Sequence, residues 1–438
     1  MSETLQRAQS VDQAGFRAGY SCDDHLFVLT LLSELFAEFR KPLWMVAVDF
    51  KKAFDSVGHI SLWQSLLKQG VPHVYVNFLQ RLYAGQSGRV QTDCLSRSFP
   101  VLRGTRQGDP ISPILFKAAL EDMMRSLKER WTQRGFGIQL GGRRLSNLRF
   151  ADDLLLMAPS LHVARQMLRD LMQEASKFGL EVHDSKTKII WNGNGRGTAS
   201  THANLEGKEF EILGSDDSTM YLGRLVAFDD YHDVELKHRV GKAWAKFAML
   251  RNELTNKVYD LRKRVKLFTT VIQPSLLYGC VSWTMTRIRE KLIRTTQRKM
   301  LRQILGAKRR VDSDGALEDW VGWQIRSTRL AEEMAAEFGI ADWVEEVHRR
   351  KFKWASTVCS RTDDRWTLQA LRWSVDGSRK RARPVTRWTD SFNHFFRAIQ
   401  QNGEGSHDDN NAFWMTLAQD GASWSNLEDD YVNFVLGR

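Results

Sequence analysis

Apolar residues change their period twice along this chain, and the changes divide it. From Leu26 to Phe39, Leu, Val and Phe recur at helical spacing, and Pro42 ends that run before the apolar stretch Leu43-Trp44-Met45-Val46-Ala47-Val48. That stretch predicts a buried strand ending at Asp49, followed by a helical stretch from Lys51 through Leu67. Gly85 to Pro100 predicts two short strands around a polar turn, and Arg103 to Pro110 a Gly/Pro loop. A long helix is predicted from Ser112-Pro113 past Leu127, since proline is tolerated in a first helical turn. There follow a hairpin carrying Asp152-Asp153, a helix from Val163 to Phe178, a strand at Lys188-Ile189-Ile190-Trp191 and a polar loop from Asn192 to Ala203. Strand, helix, paired strands, helix, strand is an α+β order rather than a doubly wound one.

From about Val234 the period becomes helical throughout. Leu236 to Leu250, Val258 to Leu277 and Lys291 to Leu305 predict basic amphipathic helices, ending in Lys308-Arg309-Arg310. Beyond them Trp320, Trp323, Trp343, Trp354, Trp366, Trp373 and Trp388 are interleaved with Arg and Lys, and no repeat of fixed period is present. The expected domains are therefore 1–233, 234–310 and 311–438.

Composition narrows the function. With 42% hydrophobic and 26% charged residues among 438, neither wholesale disorder nor a membrane protein is indicated. Sixty-four Lys and Arg against 52 Asp and Glu give a net charge of +12, which favours polyanionic partners, nucleic acid first. A basic protein with no such partner has the same balance. Cys22, Cys94, Cys280 and Cys359 are far apart and form no CxxC pair, so neither a disulfide framework nor a zinc knuckle is supported. The start has no apolar signal region, and no segment approaches the roughly 18 apolar residues of a membrane span. An intracellular, reducing compartment is expected, with the nucleus ahead of the cytoplasm.

Phe150-Ala151-Asp152-Asp153, followed by Leu154-Leu155-Leu156-Met157-Ala158, pushes two adjacent carboxylates into apolar surroundings. Such a pair is costly unless a proton or a metal compensates it. Adjacent Asp pairs also occur at Asp23-Asp24, Asp216-Asp217, Asp229-Asp230, Asp363-Asp364, Asp408-Asp409 and Asp429-Asp430, where weaker apolar flanks predict turns, caps or solvated loops. Asp49, at the end of a predicted strand, converges with Asp152-Asp153 if the two strands are neighbours in one sheet. Two such sources of carboxylate, completed by waters and phosphates, suit Mg²⁺ and a paired-metal phosphoryl transfer.

Six motifs then stand in a fixed order: Gln13-Ala14-Gly15-Phe16-Arg17, Val48-Asp49-Phe50-Lys51-Lys52-Ala53-Phe54-Asp55, Arg103-Gly104-Thr105-Arg106-Gln107-Gly108-Asp109-Pro110, Phe150-Ala151-Asp152-Asp153, Gly179-Leu180 with Lys186-Thr187, and Tyr221-Leu222-Gly223. Together they closely resemble the reverse transcriptase of non-LTR (LINE-like) retrotransposons, over roughly Gln13 to Gly223. Any one alone is weak; their order makes the resemblance specific.

The resemblance implies a right-hand polymerase: partial fingers and an α+β palm in 1–233, a helical thumb in 234–310, and a Trp-rich, basic, mostly helical region in 311–438. It implies that Asp49 and Asp152 bind two catalytic Mg²⁺ ions, or Mn²⁺, with the Phe50 carbonyl and Asp153 beside them. Phe54 corresponds to the aromatic gate against a ribose 2′-hydroxyl; an aromatic just after a strand is otherwise plain core. Arg106, Gln107 and Gly108 correspond to the loop laid against incoming nucleotide and template, the alternative being a helix-entry turn. Lys186 corresponds to the proton donor to pyrophosphate, or is a solvated lysine in a charge run. Tyr221-Leu222-Gly223 corresponds to the primer grip and Arg17 to a fingers contact. The implied partners are an RNA template, a DNA primer or target, and dNTPs, with no membrane.

Relatives carry earlier fingers elements and commonly an upstream endonuclease, whereas only a dozen residues precede Gln13 here. An N-terminally truncated element is the expectation, and a catalytically dead nucleic-acid-binding remnant or a group II intron maturase-like enzyme are the rivals. The segment Arg379-Lys380-Arg381-Ala382-Arg383-Pro384-Val385-Thr386-Arg387-Trp388 is similar to a basic region near the end of such elements. Phosphate contact with aromatic stacking is one reading of it, and a solvated basic loop or a nuclear localisation signal is the other.

Overall fold

The computed structural model describes residues 1–106, 108–194, 200–311, 313–375, 385–400 and 413–438. The chain forms two compact units, one of residues 1–229 with 363–384 and one of residues 230–362 with 385–438. The sequence boundaries at 233/234 and 310/311 differ from this division: residues 311–362 group with the helices before them, and 363–384 with the first unit.

The first unit is α+β. Its helices before the sheet's last strands are α1 (Ser2–Ala8), α2 (Cys22–Glu38), α3 (Ala53–Ser56), α4 (His59–Lys68), α5 (His73–Tyr83), α6 (Ser112–Gln133) and α7 (Leu161–Lys177). The strands are β1 (Trp44–Val48), β2 (Ser87–Gly88), β3 (Phe99–Pro100), β4 (Ile138–Leu140), β5 (Arg143–Leu145), β6 (Asn147–Phe150), β7 (Asp153–Ala158), β8 (Lys188–Trp191), β9 (His202–Leu205), β10 (Lys208–Leu213), β11 (Ser218–Tyr221) and β12 (Arg224–Ala227). Six of them form one mixed sheet in the order β6-β7-β1-β8-β10-β9. β1 lies at its centre, antiparallel to both β7 and β8. A strand paired on both sides and covered on both faces has no polar face, which is why Trp44 to Val48 is apolar without alternation and buried throughout.

Trp44, Val46, Val48, Leu154, Leu156, Ala158 and Ile189 join one cluster with Leu62 and Leu66 of α4, Leu115 and Met123 of α6, and Met167 and Leu171 of α7. Each such side chain contributes about 1.5–3 kcal/mol of burial, so this cluster makes the sheet a rigid platform. The helical stretch expected from Lys51 to Leu67 is broken at Val57-Gly58. There the Gly58 amide donates to the Phe178 carbonyl (2.8 Å), a tertiary bond that takes the place of the intrahelical one. Strands β9 to β12 are not predicted from the sequence; they are short, and only β9 alternates polar with apolar residues throughout.

The second unit is helical: α8 (Tyr231–Met249), α9 (Arg251–Thr255), α10 (Leu261–Leu267), α11 (Gln273–Leu277), α12 (Arg287–Leu305), α13 (Trp320–Glu337) and α14 (Trp343–Cys359), then Asp390–Gln400, Gly421–Ser425 and Glu428–Leu436. The single helix expected from Val258 to Leu277 is instead α10, a π-helical turn at Phe268–Ile272, and α11. Pro274, which lacks an N–H and crowds the preceding turn, accounts for the change of winding. Thr286 caps α12, and Gly306, at φ 65°, ends it. Trp388, read as a candidate stacking residue, is fully buried and donates its indole N–H to the Val281 carbonyl (2.8 Å). It is therefore core and not a nucleic-acid platform; Arg379 to Pro384 lie outside the described residues. Among the described residues no helix is long and apolar enough to cross a membrane.

Candidate active site

The register of β1 on β7 decides where the acids go. Trp44 pairs with Ala158 and Val48 with Leu154, so the next residues, Asp49 and Asp153, emerge side by side at one end of the sheet centre. On the other side, β7 pairs with β6 through Phe150 opposite Asp153, which leaves Ala151-Asp152 as a two-residue turn. Ala151 sits at φ 58°, a left-handed conformation that costs a side-chain-bearing residue energy unless its surroundings enforce it.

Gln13 enforces it. Its buried side chain accepts from the amides of Ala151 (2.9 Å) and Gly15 (2.8 Å) through Oε1, and its Nε2 donates to the Ala151 carbonyl (3.3 Å). Gly15 is needed for this approach, because a Cβ there would fall 2.2 Å from the Ala151 nitrogen. The amide of Ala14 donates to the Arg149 carbonyl (2.8 Å), and that of Arg149 to the Asp12 carbonyl (2.7 Å), so residues 12–15 run beside β6 and hold its turn. Arg17 donates to the carbonyls of Ser10 (2.7 Å) and Gln13 (2.9 Å) and lies over the Tyr20 ring, so it is turned into the fold.

Asp49 is held as firmly. Its amide donates to Thr187 Oγ1 (3.2 Å) and its carbonyl accepts from the His183 amide (2.8 Å), while the Lys51 amide donates to Glu181 (2.8 Å). Lys186 Nζ lies 3.9 Å from Asp49 Oδ1, with most of the lysine side chain exposed. The acids feel one another. Desolvation, with Asp49 adding to it, raises the Asp152 carboxyl above its ordinary value. Desolvation, then Asp152, then Asp49, push Asp153 up to about 6. Two carboxyls raised by burial and by neighbouring acids favour a bound cation. Among the described residues no group of three or more His, Cys, Asp or Glu forms a ready-made metal cage. An open site that recruits waters and phosphates needs only one or two carboxylates, so the donor set fits a hard divalent ion.

Phe54 is half-buried and stacks on Phe116, with ring centroids 4.5 Å apart. Its carbonyl accepts from the Thr105 amide (2.7 Å), and Gly104 donates to Val57 (2.8 Å), so the 103–106 loop is stitched to α3. Gly104, at φ 85°, passes so close to Asp55 that a Cβ would meet its carbonyl oxygen at 2.6 Å. Arg106 is exposed, its guanidinium 5.9 Å from the Tyr83 ring centre; Gly108 stands in open space at φ 87°, and Gln107 lies outside the described residues. Leu222-Gly223, both at positive φ, form the two-residue turn of the β11–β12 hairpin. Tyr221 is buried beside it, its hydroxyl 3.4 Å from the Leu148 carbonyl and 3.2 Å from His25 Nδ1.

The structure thus brings Asp49, Asp152, Asp153 and Lys186 to one sheet end, while Arg17 serves the support beneath. Sequence reasoning gave no role to Gln13, Gly15 or Thr187. Their presence inside the first and fifth motifs was the available signal.

The family profile of reverse transcriptase (RNA-dependent DNA polymerase) matches residues 2–223, half of the chain, and the chain belongs to that family. The relatives it resembles are transposon-derived proteins and Pol polyproteins of retrotransposable elements. A transposon-derived protein of Caenorhabditis elegans is 29% identical over 66% of this chain and 96% of its own length. The Pol polyprotein of retrotransposable element R2 from Nasonia vitripennis is 30% identical over 48% of this chain, and that of R2DM from Drosophila melanogaster 29% over 40%. The chain spans 21% and 16% of those two polyproteins. Among solved structures, telomerase of Candida albicans covers 86% of this chain and 58% of its own at 14% identity, with a TM-score of 0.39, a likeness too loose to carry an argument.

Proposed function

We propose that this chain is an RNA-directed DNA polymerase that extends a DNA primer along an RNA template with dNTPs. The observation that carries the reading is the β1–β7 register, which sets Asp49 beside an Asp152-Asp153 turn clamped by Gln13. In this reading the first unit holds the fingers and palm and helices α8–α12 the thumb of a right-hand polymerase. A chromosomal DNA primer makes the nucleus its working compartment.

Asp49 and Asp152 hold two Mg²⁺ ions, with Mn²⁺ as the substitute, and the Phe50 carbonyl and Asp153 stand beside them. When bound, the ions supply the positive charge that stabilises the entering and leaving oxygens of an in-line displacement. The remaining work belongs to the chain. Lys186 places its Nζ next to the acids, where it holds a proton for the leaving diphosphate. Phe54, braced on Phe116, is a wall against a ribose 2′-hydroxyl; its packing and its gating are one property, because a ring that cannot swing away can exclude. The loop sequence Arg106-Gln107-Gly108 is assigned to the incoming nucleotide, and the Tyr221-Leu222-Gly223 turn supports the primer end. Arg17, committed to Ser10 and Gln13, supports the clamp rather than the substrate.

Primer extension on poly(rA)/oligo(dT) with Mg²⁺ tests the reading. Asp152→Asn is expected to lower dTTP incorporation by about a thousandfold, since metal charge is worth several kcal/mol in such a transition state. Incorporation by the natural chain no higher than by Asp152→Asn, with RNA binding intact, would leave a nucleic-acid-binding remnant in its place. Phe54→Ala is expected to raise rUTP use relative to dTTP; an unchanged ratio would reduce Phe54 to packing.

A further inference from the structure

The second unit contains a cleft whose chemistry the polymerase reading does not use. Its volume is ≈ 560 Å³, and it is lined by Arg251, Lys299, Arg302, Lys308, Trp320 and Trp323, with only uncharged residues between them. Among the described residues no carboxylate lines it. The two acids that precede Trp320 are committed elsewhere: Glu318 accepts from Arg326 Nη2 (2.6 Å) and the Arg310 amide (3.1 Å), and Asp319 caps α13 through the amides of Val321 and Gly322. Among the described residues no salt bridge to any of the four cations is found. Four positive charges share one cleft without compensation, a field that fits a polyanion.

The two indoles differ. Trp323 is fixed, its N–H donated to the Ala307 carbonyl (3.2 Å) and its face under the Arg302 guanidinium at 5.4 Å. Trp320, 6.4 Å from it at 49°, is 59% exposed although it opens a helix in a unit that buries Trp343, Trp388, Trp414 and Trp424 completely. A large exposed aromatic beside unpaired cations is the arrangement in which a nucleobase stacks while its flanking phosphates meet the basic rim. A duplex, whose bases already stack on one another, cannot use the indole.

We propose that this cleft binds a nucleotide of a single-stranded polynucleotide, its base on Trp320 and its flanking phosphates on Lys299, Lys308 and Arg251. The inference goes beyond the polymerase reading, which gives these side chains of α9, α12 and α13 no role, and does not rest on the acids at Asp49, Asp152 and Asp153. Asp152→Asn is expected to bind through the cleft unchanged.

The test is fluorescence anisotropy on the full chain with labelled oligo(rU), oligo(dT), an abasic oligomer of equal charge and a duplex. Trp320→Ala is expected to weaken both base-bearing single strands by about five- to a hundredfold while leaving the abasic oligomer and the duplex unchanged. Trp320→Phe keeps most of the affinity, which separates stacking from misfolding. Lys299→Gln with Lys308→Gln is expected to lower the slope of log Kd against log salt by roughly 1.4, two phosphates' worth for a single strand. The tighter of oligo(rU) and oligo(dT) identifies the strand the cleft serves. Three results would each overturn the proposal: an abasic oligomer that binds as well as oligo(dT), an equal loss on the duplex, or displacement of the oligomers by polyglutamate of equal charge.

Discussion

Two interior regions, one in each unit, are built from different groups. Beneath the acid turn, the first unit hides a charged cluster: Asp12 accepts from Lys128 Nζ (2.6 Å) and Trp366 Nε1 (2.7 Å), with Arg149 Nη2 3.9 Å away and itself 3.0 Å from Glu121. Asp12 and Arg149 are each 1% exposed. The second unit fills its centre with rings: Phe352 on Trp424 (4.3 Å), Phe392 on Trp414 (4.8 Å) and Phe392 on Tyr431 (5.0 Å). Rings fill volume without demanding a unique partner, whereas a buried charge is tolerable only in one geometry. Arg149 stands two residues before Ala151 on β6. The costly interior therefore lies where the backbone needs fixing, under the site, and the tolerant one lies where bulk suffices.

Removing one member of the charged cluster is expected to have the larger effect. Asp12→Ala leaves Lys128 without its carboxylate, Arg149 with Glu121 alone and the Trp366 N–H without an acceptor, a loss of roughly 3–5 kcal/mol from the first unit at neutral pH. Burial by itself raises the Asp12 carboxyl, but Lys128 and Arg149 outweigh it and hold the group below its ordinary value. A carboxyl depressed in the folded state stabilises above its unfolded pKa, near 4, and stops doing so as pH falls through the folded value. The difference between natural chain and Asp12→Ala, measured by denaturant titration, is therefore expected to be full at pH 7 and to shrink below about pH 4. A pH-independent difference would mean that Asp12 acts by packing alone.

Trp424→Ala probes the opposite kind of interior. It is expected to cost about 3–4 kcal/mol, the range for a large ring whose neighbours relax only in part, with no dependence on pH across the same window. The comparison breaks if Trp424→Ala shows a pH-dependent loss, since its partners Phe352, Phe392 and Phe396 carry no charge.

Much of this is legible in the amino-acid sequence. The continuous apolar run at Trp44 to Val48 and the apolar flanks of Asp152-Asp153 locate the two central strands, because burial on both faces leaves no alternation. That the acids meet follows from register, which hydrophobic pattern alone does not give for strands more than a hundred residues apart. What sequence misses has physical causes. Gln13 acts through side-chain bonds to the backbone of a turn 138 residues away, and no period encodes such a contact. Trp343 and Trp320 stand in the same Asp-Trp-Val setting, yet the first is core and the second surface. Only packing separates them. The π-helical turn at Phe268–Ile272 shows the reverse: Pro274 marks a break inside an apolar period that by itself predicts one helix.

The smallest expected change in stability falls on the residue that joins the charged interior to the acids. Gln13→Ala removes two acceptances and one donation at the 151 turn and leaves the Ala151 and Gly15 amides unpaired in a buried place, a cost of about 1–3 kcal/mol. Its consequence for chemistry is larger than that number suggests. Without Gln13 Oε1 nothing on that side holds Ala151 at φ 58°, and the turn relaxes toward a conformation that moves the Asp152 carboxylate away from Asp49. Misplacement of a catalytic group by about 1 Å costs on the order of a hundredfold in rate. Gln13→Ala is therefore expected to lower the rate constant of primer extension by about that factor while the KM for dTTP changes little, with folding retained at 25 °C. Gln13→Glu separates the two contributions, because its carboxylate can still accept from both amides but cannot donate to the Ala151 carbonyl. Recovery of most of the rate by Gln13→Glu would assign the effect to the clamp on the amides. Equal losses of rate in both variants would assign it to packing, and the charged interior would then end at Arg149 without reaching the acids.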